Sequence, residues 1–240
     1  MDERLKKIID NSDNIVFFGG AGVSTESNIP DFRSEQGLYN AKQQFGLSPE
    51  EMLSHSFFMR HMKTFFEYYR KNLTYPDAMP NKAHLALARL EEQGKLKAIV
   101  TQNIDGLHQA AGSKNVLELH GSVHRNYCRK CGKEFDAEYI LNSKGVPVCD
   151  SCGGQIKPDV VLYEEGLNQQ TLEDAVYYIS HADMLIIGGT SLAVYPAAGL
   201  IDYYRGNKLV LINKSTTSMD SRADLLIQAG LGEVFGQIEV

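Results

Sequence analysis

Short apolar runs alternate with helical patterns along most of this 240-residue chain. The strands predicted from these runs are Asn14 to Phe18, Leu96 to Val100, Val116 to Leu119, Val160 to Leu162, Met184 to Ile187 and Leu209 to Ile212. Helical patterns lie around them, over residues 2–10, 82–93, 105–111, 169–181 and 196–205. Strands that alternate with helices at this spacing form a parallel sheet that helices cover on both faces. The sequence therefore predicts an α/β protein with a doubly wound parallel sheet.

The four cysteines form two pairs that interrupt this alternation. Cys128-x-x-Cys131 precedes Cys149-x-x-Cys152 by 17 residues, and a glycine follows the second cysteine of each pair. Two such turns can bring four thiolates around one zinc ion at about 2.3 Å, with no position left for water. Free or redox-active cysteines are the alternative, which this spacing disfavours. The pattern predicts one structural Zn²⁺ per chain, and catalysis must then lie elsewhere.

Charge and hydropathy exclude two classes of protein. The formal net charge is −6, whereas a dedicated nucleic-acid binder usually carries a basic field. No apolar stretch approaches the ~18 residues that a membrane-spanning helix needs. The N-terminal MDERLKKIID carries charges where a signal peptide needs an apolar run. We therefore expect no dedicated nucleic-acid binding, no membrane binding and a cytoplasmic location.

The segment after the first predicted strand has the composition of a phosphate-binding turn. The run Gly19 to Ser24 contains small residues that let backbone N–H groups approach a pyrophosphate at a helix N-terminus. Thr25 stands where the dinucleotide fingerprint has its third glycine, so a plain tight turn is the alternative interpretation. Asp31, Phe32 and Arg33 follow, which would place an aromatic face and a cation beside a bound nucleotide. A local salt bridge between Asp31 and Arg33 is the alternative there.

A second group of polar residues follows the ends of later strands. It comprises residues 101–105, His120, residues 188–191 and Asn213. The carboxyl ends of parallel strands meet at one edge of the sheet, where open α/β sheets bind ligands. An imidazole ordinarily titrates near pH 6.5, so His120 could accept a proton at neutral pH. The chain has no G-x-S-x-G turn, and no cysteine outside the two pairs could serve as a nucleophile.

These motifs together resemble a known family. GAGVSTESNIPDFR (20–33), TQNID (101–105), HG (120–121), the two cysteine pairs, KPDVVLYEE (157–165), GTSLAVYPAA (189–198) and INKSTT (212–217) are similar to the motifs of the sirtuins, NAD-dependent protein deacylases. The match covers nearly the whole chain in the expected order. The short, uninterrupted length is similar to that of bacterial members.

The resemblance implies a single catalytic unit over residues 1–240. A large Rossmann-like part would comprise about residues 1–33, 81–123 and 158–240. A small domain would combine a helical insert, about 34–80, with a zinc module, about 124–157. NAD would lie in the cleft between them, and an acetyl-lysine protein or peptide would enter opposite. The family consumes NAD to give nicotinamide, O-acetyl-ADP-ribose and the free lysine.

The resemblance also implies roles for individual residues. His120 would be the general base, and Asn103 would assist catalysis through an ordered water. Val160, Val161 and Leu162 would pair with the substrate backbone as an added strand. The residues expected to contact NAD are Gly20, Ala21, Gly22, Thr25, Phe32, Arg33, Gln102, Asn103, Ile104, Asp105, His120, Gly189, Thr190, Ser191, Asn213 and Leu231.

Two departures from the family pattern concern the substrate. Tyr163-Glu164-Glu165 replaces an aromatic-Gly-Glu sequence and adds a carboxylate beside the substrate strand. Family members that prefer succinyl or malonyl lysine carry a Tyr-x-x-Arg pair, whose positions here hold Phe66 and Tyr69. Arg70 lies one residue further, about 100° round a helix, so it should point away from the acyl channel. These residues predict a preference for neutral acyl groups.

Two alternatives remain open at this point. The same nicotinamide-cleaving site could support mono-ADP-ribosyl transfer to a protein. A zinc-ribbon module that binds nucleic acid is the non-enzymatic alternative. It predicts a basic stripe near the cysteines, but acidic residues interleave with the basic ones over residues 124–157. It also leaves the polar residues at the strand ends unexplained.

Overall fold

The computed structural model describes residues 2–31 and 46–237. Its strands, in chain order, are β1 (Ile15–Gly19), β2 (Leu96–Thr101), β3 (Val116–Glu118), β4 (Gly121–Cys128), β5 (Glu134–Phe135), β6 (Ile156–Val160), β7 (Met184–Gly188), β8 (Leu209–Ile212) and β9 (Leu225–Ile227). Six of them form a parallel sheet in the order β3-β2-β1-β7-β8-β9. Counted within that sheet, the order is 3-2-1-4-5-6, as in doubly wound dinucleotide-binding folds. The predicted fold class is confirmed.

The α-helices of the described chain mostly pack on this sheet or form a separate group before β2. They are α1 (Glu3–Asp10), α2 (Pro49–Met52), α3 (His55–Arg60), α4 (Met62–Asn72), α5 (Lys82–Glu92), α6 (Leu107–Ala110), α7 (Ala137–Asn142), α8 (Gln169–His181) and α9 (Leu231–Phe235). Short 3₁₀ helices span Ala21–Val23, Thr25–Ser27, Ala197–Tyr203 and Asp220–Arg222. In the described ranges, no helix has the length and apolar character needed to cross a membrane.

Local capping explains where several of these helices begin. Ser48 and Glu51 form a capping box at α2, each side chain bonded to the other residue's backbone N–H. Asn81 caps α5 through its side chain, which accepts from the N–H of Ala83. The same side chain donates to the Val23 carbonyl at 2.8 Å. The start of α5 is therefore tied to the turn that follows β1.

The central strand shows how the sheet is buried. Every residue of β1 is buried, and its side chains alternate between the two faces. Ile15 and Phe17 pack in the apolar core on one face, and Val16 and Phe18 pack in the core on the other. Burial on both faces explains why the strand is a continuous apolar run in the sequence.

A second sheet contains the cysteine segment. It is antiparallel, with the order β5-β4-β6, and Cys128 of β4 pairs with Ile156 of β6. A third apolar core joins this sheet to helices α2–α4 and includes Phe58, Phe65 and Phe66. The helical segment before β2 and the cysteine segment therefore share one core, although about 50 residues that build the large sheet separate them in sequence.

Two predictions about secondary structure differ from the structure, and further elements were not predicted. The strand expected at Val160 to Leu162 spans Ile156–Val160 instead and lies in the small sheet. Burial alternates along these five residues, as in a strand with one face in the core. The helix expected over 196–205 is a 3₁₀ helix, a tighter form that suits a short segment interrupted by Gly199. Strand β9 and helix α9 were not predicted, and each has five residues or fewer.

Two fully buried histidines lie between α5 and α6. The rings of His84 and His108 are 4.8 Å apart at an angle of 62°. His84 Nδ1 accepts the N–H of Asn81, whereas neither ring nitrogen of His108 contacts a described hydrogen-bond partner. Burial lowers the pKa of both residues, and the pKa of His108 falls to about 3. Both rings are therefore neutral in the folded protein at ordinary pH.

We expect this burial to make stability fall on mild acidification. Above pH 6.5, His108 is neutral in both the folded and the unfolded state, so its titration does not change the free energy of unfolding. Below that pH, only the unfolded state takes up the proton, so the free energy of unfolding falls until the pH reaches the folded pKa. Between pH 6.5 and 5 the loss should be on the order of 1–2 kcal/mol for this group. Urea unfolding should therefore show a shallower pH dependence for His108→Leu than for the wild type, with His181→Leu as an exposed control. Equal pH dependences would contradict the prediction.

Candidate active site

One cleft collects most of the residues that the sequence pointed to. It lies at the carboxyl ends of β1, β2, β3 and β7 and reaches the end of β6. The predicted site residues that line it are Gly20, Ala21, Gln102, Asn103, Ile104, Asp105, His120, Val160, Val161, Leu162, Gly189, Thr190 and Ser191. Parallel strands deliver these residues, except Val160, Val161 and Leu162 at the end of β6, to one edge of the sheet, as expected for an open α/β sheet.

His120 is held by the backbone of the neighbouring strand end. It lies two residues beyond β3, and its Nδ1 is 2.9 Å from the carbonyl oxygen of Gln102. A carbonyl can only accept, so Nδ1 carries the proton and donates it to this bond. The neutral ring therefore keeps its lone pair on Nε2. This arrangement fixes both the tautomer and the orientation of an imidazole that faces the cleft.

A serine that the sequence analysis left without a role joins the two strand ends. Ser24 is 1% exposed, and its hydroxyl donates to Asp105 Oδ2 at 2.7 Å. The hydroxyl oxygen of Ser24 in turn accepts a hydrogen bond from the side-chain amide of Asn103 at 3.0 Å. Asp105 also accepts from the backbone N–H of Leu107, which fixes the start of α6. Ser24 therefore orients both the amide and the carboxylate that face the cleft.

The glycines after β1 serve the contact between two turns. The N–H of Gly22 donates to the carbonyl of Gly189 at 2.7 Å. A Cβ on Gly22 would lie 2.7 Å from Gly189 Cα, and one on Gly20 would lie 2.8 Å from Thr190 Cβ. Gly189 itself has φ +59, in the left-handed region that favours glycine. The Gly22 N–H is thus already used within the protein, whereas Ala21 lines the cleft.

The remaining expected NAD contacts lie at or beyond the cleft's margin. Thr25 donates to the Gly22 carbonyl, and Asn213 donates to the Ser215 carbonyl. Leu231 is 3% exposed and packs in the core. These three residues do not line the cleft of the described chain. Phe32 and Arg33 lie outside the described residues.

The turn after β7 is linked to the end of β2. The amide of Gln102 donates to the Thr190 hydroxyl at 3.0 Å, and that hydroxyl accepts the N–H of Leu192. Gln102 also accepts from His120 through its carbonyl. One residue therefore connects the glycine turns with the imidazole.

The segment after β6 also borders the cleft. The N–H of Val161 donates to the His120 carbonyl, and the N–H of Tyr163 donates to the Leu53 carbonyl. The N–H of Leu162 donates to Glu165 Oε2. A strand added at Val160 to Leu162 would therefore have to use other backbone groups than the N–H groups of 161 and 162.

The geometry of the four cysteines fits a zinc ion. Their Sγ atoms all lie within 4.8 Å of one another, with 3.5 Å between Cys128 and Cys152 and 3.7 Å between Cys131 and Cys149. A tetrahedron with arms of about 2.3 Å has edges of about 3.8 Å, whereas a disulfide would bring two sulfurs to about 2.05 Å. A Cβ on Gly154 would lie 2.8 Å from the Cys128 sulfur, so this residue must be small.

Backbone groups favour the thiolate that such a site requires. Burial opposes ionisation of Cys128, but hydrogen bonds from the backbone N–H groups of Cys131 and Lys130 and from the side chains of Cys152 and Cys131 together lower its pKa to about 6. The turns behind the sulfurs are glycine turns, since Gly132 and Gly153 have φ +74 and +68. The four residues can therefore hold one structural Zn²⁺ in a closed site.

The residues at the expected acyl-selective positions are buried. Phe66 and Tyr69 are fully buried in the third core. Arg70 donates to the carbonyls of Ile140 and Gly145 and to the Ser143 hydroxyl. The guanidinium is thus bonded to the cysteine segment, and Arg70 does not line the described cleft. The apolar residues that line the cleft at this end are Leu53, Leu73, Ile104, Val160 and Leu162.

The fold and the site define a dinucleotide-binding α/β protein that carries a structural zinc module. A parallel sheet in the 3-2-1-4-5-6 order, glycine turns beside an oriented imidazole and a tetrahedral cysteine cluster support this class. The chain belongs to the Sir2 family, whose family model matches residues 20–196.

Similar proteins agree with this assignment. The chain is 65% identical over 231 residues to the NAD-dependent protein deacetylase of Clostridium acetobutylicum. The aligned region covers 96% of this chain and 94% of that protein. A solved Sir2 variant with a deacetylated p53 peptide and 3′-O-acetyl-ADP-ribose has a TM-score of 0.89 at 38% identity, covering 98% of this chain and 96% of that one. A Sir2 complex with a p53 peptide and NAD⁺ has a TM-score of 0.87 at 38% identity, covering 99% and 96%.

We expect zinc removal to unfold the small sheet. Metal binding is coupled to folding where the ligands come from distant turns, and here the two pairs are 17 residues apart. Cys128→Ser should therefore lower both the bound zinc, measured by atomic emission, and the thermal midpoint. Ser151→Ala, a change beside the cysteines that removes no sulfur, is the control. A zinc-free Cys128→Ser protein with unchanged stability would contradict a structural metal.

Proposed function

We propose that this chain is an NAD-dependent protein lysine deacetylase, which consumes NAD and gives nicotinamide, O-acetyl-ADP-ribose and free lysine. The observation that carries the proposal is the imidazole of His120, oriented by the Gln102 carbonyl. It faces the same cleft as the Ser24–Asn103–Asp105 group and the glycine turns. The deacetylase names and Sir2 complexes of the similar proteins support it further.

The residues of the cleft fit NAD. Small residues at positions 20–22 and 189 bring backbone close to the carboxyl ends of the strands, where pyrophosphates bind in this sheet topology. Bound NAD supplies the nicotinamide ribose to which the acetyl group is transferred. We assign the contacts with this cofactor to the residues that the sequence indicated, with Thr25, Asn213 and Leu231 at the margin.

His120 would act as the general base. Its Nδ1 proton is bonded to Gln102, so Nε2 is the atom that takes up a proton from a substrate hydroxyl. The carbonyl opposite Nδ1 stabilises the imidazolium that forms, because its oxygen carries partial negative charge. Asn103, held by Ser24, would orient a hydrogen-bonding group of the substrate or a water.

Asp105 would accept a hydrogen bond at the inner end of the cleft. One carboxylate oxygen takes the Ser24 hydroxyl and the other takes the Leu107 N–H. Each oxygen has a further lone pair. A carboxamide N–H, such as that of nicotinamide, could therefore be recognised there without breaking either bond.

The peptide would bind beside the segment after β6. Leu162 and Leu53 line the apolar part of the cleft, and the backbone at Val160 to Leu162 would border the added strand. We further propose a division into a large Rossmann-like part and a small domain of residues 34–80 and 124–157. The shared third core supports it.

Location and excluded partners follow from the cysteines and charges. A cluster of free thiols that fits zinc suits a reducing compartment, so we propose action in the cytoplasm. Two of the basic residues near the cysteines are held in ion pairs: Lys133 with Asp150, and Arg125 with Glu118 and Asp159. These pairs favour the absence of dedicated nucleic-acid binding.

Mass spectrometry tests the proposed reaction. An acetyl-lysine peptide incubated with the protein should lose its acetyl group only when NAD is present, and nicotinamide and O-acetyl-ADP-ribose should form in equal amounts. The similar proteins favour this outcome over mono-ADP-ribosyl transfer. ADP-ribose attached to a protein, without loss of acetyl groups, would support the transferase instead.

We expect His120→Ala to separate binding from chemistry. Removing a general base should lower turnover by about 10²–10⁴-fold, whereas NAD affinity measured by calorimetry should change only a few-fold. His181→Ala, on the exposed surface of α8, is the matched control and should keep full activity. Near-normal turnover in His120→Ala would show that another group is the base.

We expect a preference for acetyl over succinyl lysine. The cleft has no Lys or Arg among the described residues that line it, and Arg70 is bonded elsewhere. A succinyl carboxylate would lose its hydration there without an ionic partner. Competition between acetyl and succinyl forms of one peptide should give a kcat/KM at least about 10-fold higher for acetyl, equivalent to one lost charge-assisted bond. A higher kcat/KM for succinyl would contradict this assignment.

A further inference from the structure

Glu164 occupies a backbone conformation that suits glycine. Its φ is +76, and only two other non-glycine residues of the described chain, Asn28 and Leu192, have positive φ. Glycine enters this left-handed region without steric cost, whereas a side chain with a Cβ does not. The local backbone therefore gives no reason for a glutamate at this position. Any reason for it must lie in the carboxylate.

The carboxylate of Glu164 lies at the edge of the candidate active site. The residue is exposed, lines the cleft that contains His120, and follows the Val160–Leu162 segment by two positions. Its Oε2 accepts the backbone N–H of Ser56 at 2.8 Å. This hydrogen bond from α3 fixes the carboxylate in place. Hydrogen bonds from Ser56 also hold the pKa of Glu164 below its usual range, so the group is charged at neutral pH.

The neighbouring Glu165 has a different environment. It forms ion pairs with His55 at 2.8 Å and Lys157 at 3.0 Å, and it accepts the Leu162 N–H. Its charge is therefore balanced within the protein. Within the described residues, Glu165 takes part in two ion pairs, whereas Glu164 takes part in none. His55 and Arg60 attract Glu164 from a greater distance without forming a contact.

Helix capping alone does not account for this side chain. The first turn of α3 is already capped by Ser54, whose hydroxyl accepts the Phe57 N–H. The bond from Ser56 to Glu164 needs an acceptor oxygen but not a full charge, so glutamine would serve as well. Glu164→Gln therefore removes the negative charge while keeping an acceptor oxygen for the Ser56 N–H, so the two roles of the side chain can be tested separately.

We propose that Glu164 selects acetyl-lysine peptides that carry a cationic side chain close to the acetylated residue. This inference rests on the proposed deacetylase function and adds a substrate class to it. A lysine or arginine of the bound peptide would form an ion pair with the fixed carboxylate at the rim. No Lys or Arg lines the cleft in the described ranges, so no cation of the described cleft wall competes for this carboxylate.

The test compares one acetyl-lysine peptide with alanine at all flanking positions and variants with a single arginine moved through four positions on each side. The wild type should show a kcat/KM about 2- to 5-fold higher for the best arginine peptide, the range of an exposed ion pair. The gain should appear in KM and should diminish at high salt because exposed charges are screened.

Glu164→Gln should abolish the arginine advantage, measured as the ratio of kcat/KM for the best arginine peptide to kcat/KM for the alanine peptide. Glu173→Gln, on the exposed face of α8, changes the net charge equally and should keep the advantage. Glu164→Gly, which suits the backbone, provides a second variant without the carboxylate and should also lose it. An arginine advantage that persists in either Glu164 variant, or is absent from the wild type, would overturn the inference. Absence of turnover with every peptide would instead contradict the proposed function.

Discussion

The hydrogen bond between two glycine turns, from the Gly22 N–H to the Gly189 carbonyl, is the contact on which the site depends. It joins the turn after β1 to the turn after β7, at the place where the strand order reverses. The two backbones approach so closely that a Cβ on Gly22 would lie 2.7 Å from Gly189 Cα. A side chain there would separate the turns and displace both from the carboxyl ends of their strands. Close backbone contact thus creates the base of the cleft.

The polar groups of the cleft are oriented from this base by hydrogen bonds between strand ends. Thr190, next to Gly189, accepts the Gln102 amide, and the Gln102 carbonyl accepts the Nδ1 proton of His120. On the other side, Ser24 holds Asn103 and Asp105. Each link ends on a residue whose backbone belongs to a strand end or the adjoining turn. The position of the His120 imidazole is therefore set by the strand ends of the sheet.

The sequence predicted well those features that have local causes. Helix α8 and strand β8 lie where expected, because a capping Asn168 and a continuous apolar run mark them locally. The site residues at strand ends were also found, since the parallel topology brings all carboxyl ends together. The role of Ser24 could not be found in this way. Its partners lie 79 and 81 residues further along the chain, and no local pattern records such a pairing.

A local pattern can also fit two structures. The apolar run at Val160 to Leu162 has the composition of a buried strand, but the pairing with β4 ends at Val160. The residues beyond Val160 form isolated hydrogen bonds instead of a strand ladder. One example is the bond from the Val161 N–H to the His120 carbonyl. The glycines at 20 and 22 fit both a phosphate turn and a contact between turns. Gly22 serves the contact between turns, whereas Ala21 borders the cleft.

The zinc module and the imidazole are connected by one strand. β4 begins at Gly121, directly after His120, and ends at the first cysteine, Cys128. Gly121 has φ +75, and a Cβ there would overlap the Asp159 carbonyl of β6, so the two strands are in close contact at the cleft. Arg125 reinforces that contact through its ion pair with Asp159. A metal that holds Cys128 in place would therefore also fix the far end of the strand that begins directly after His120, although the sulfur cluster itself would have no open position for chemistry.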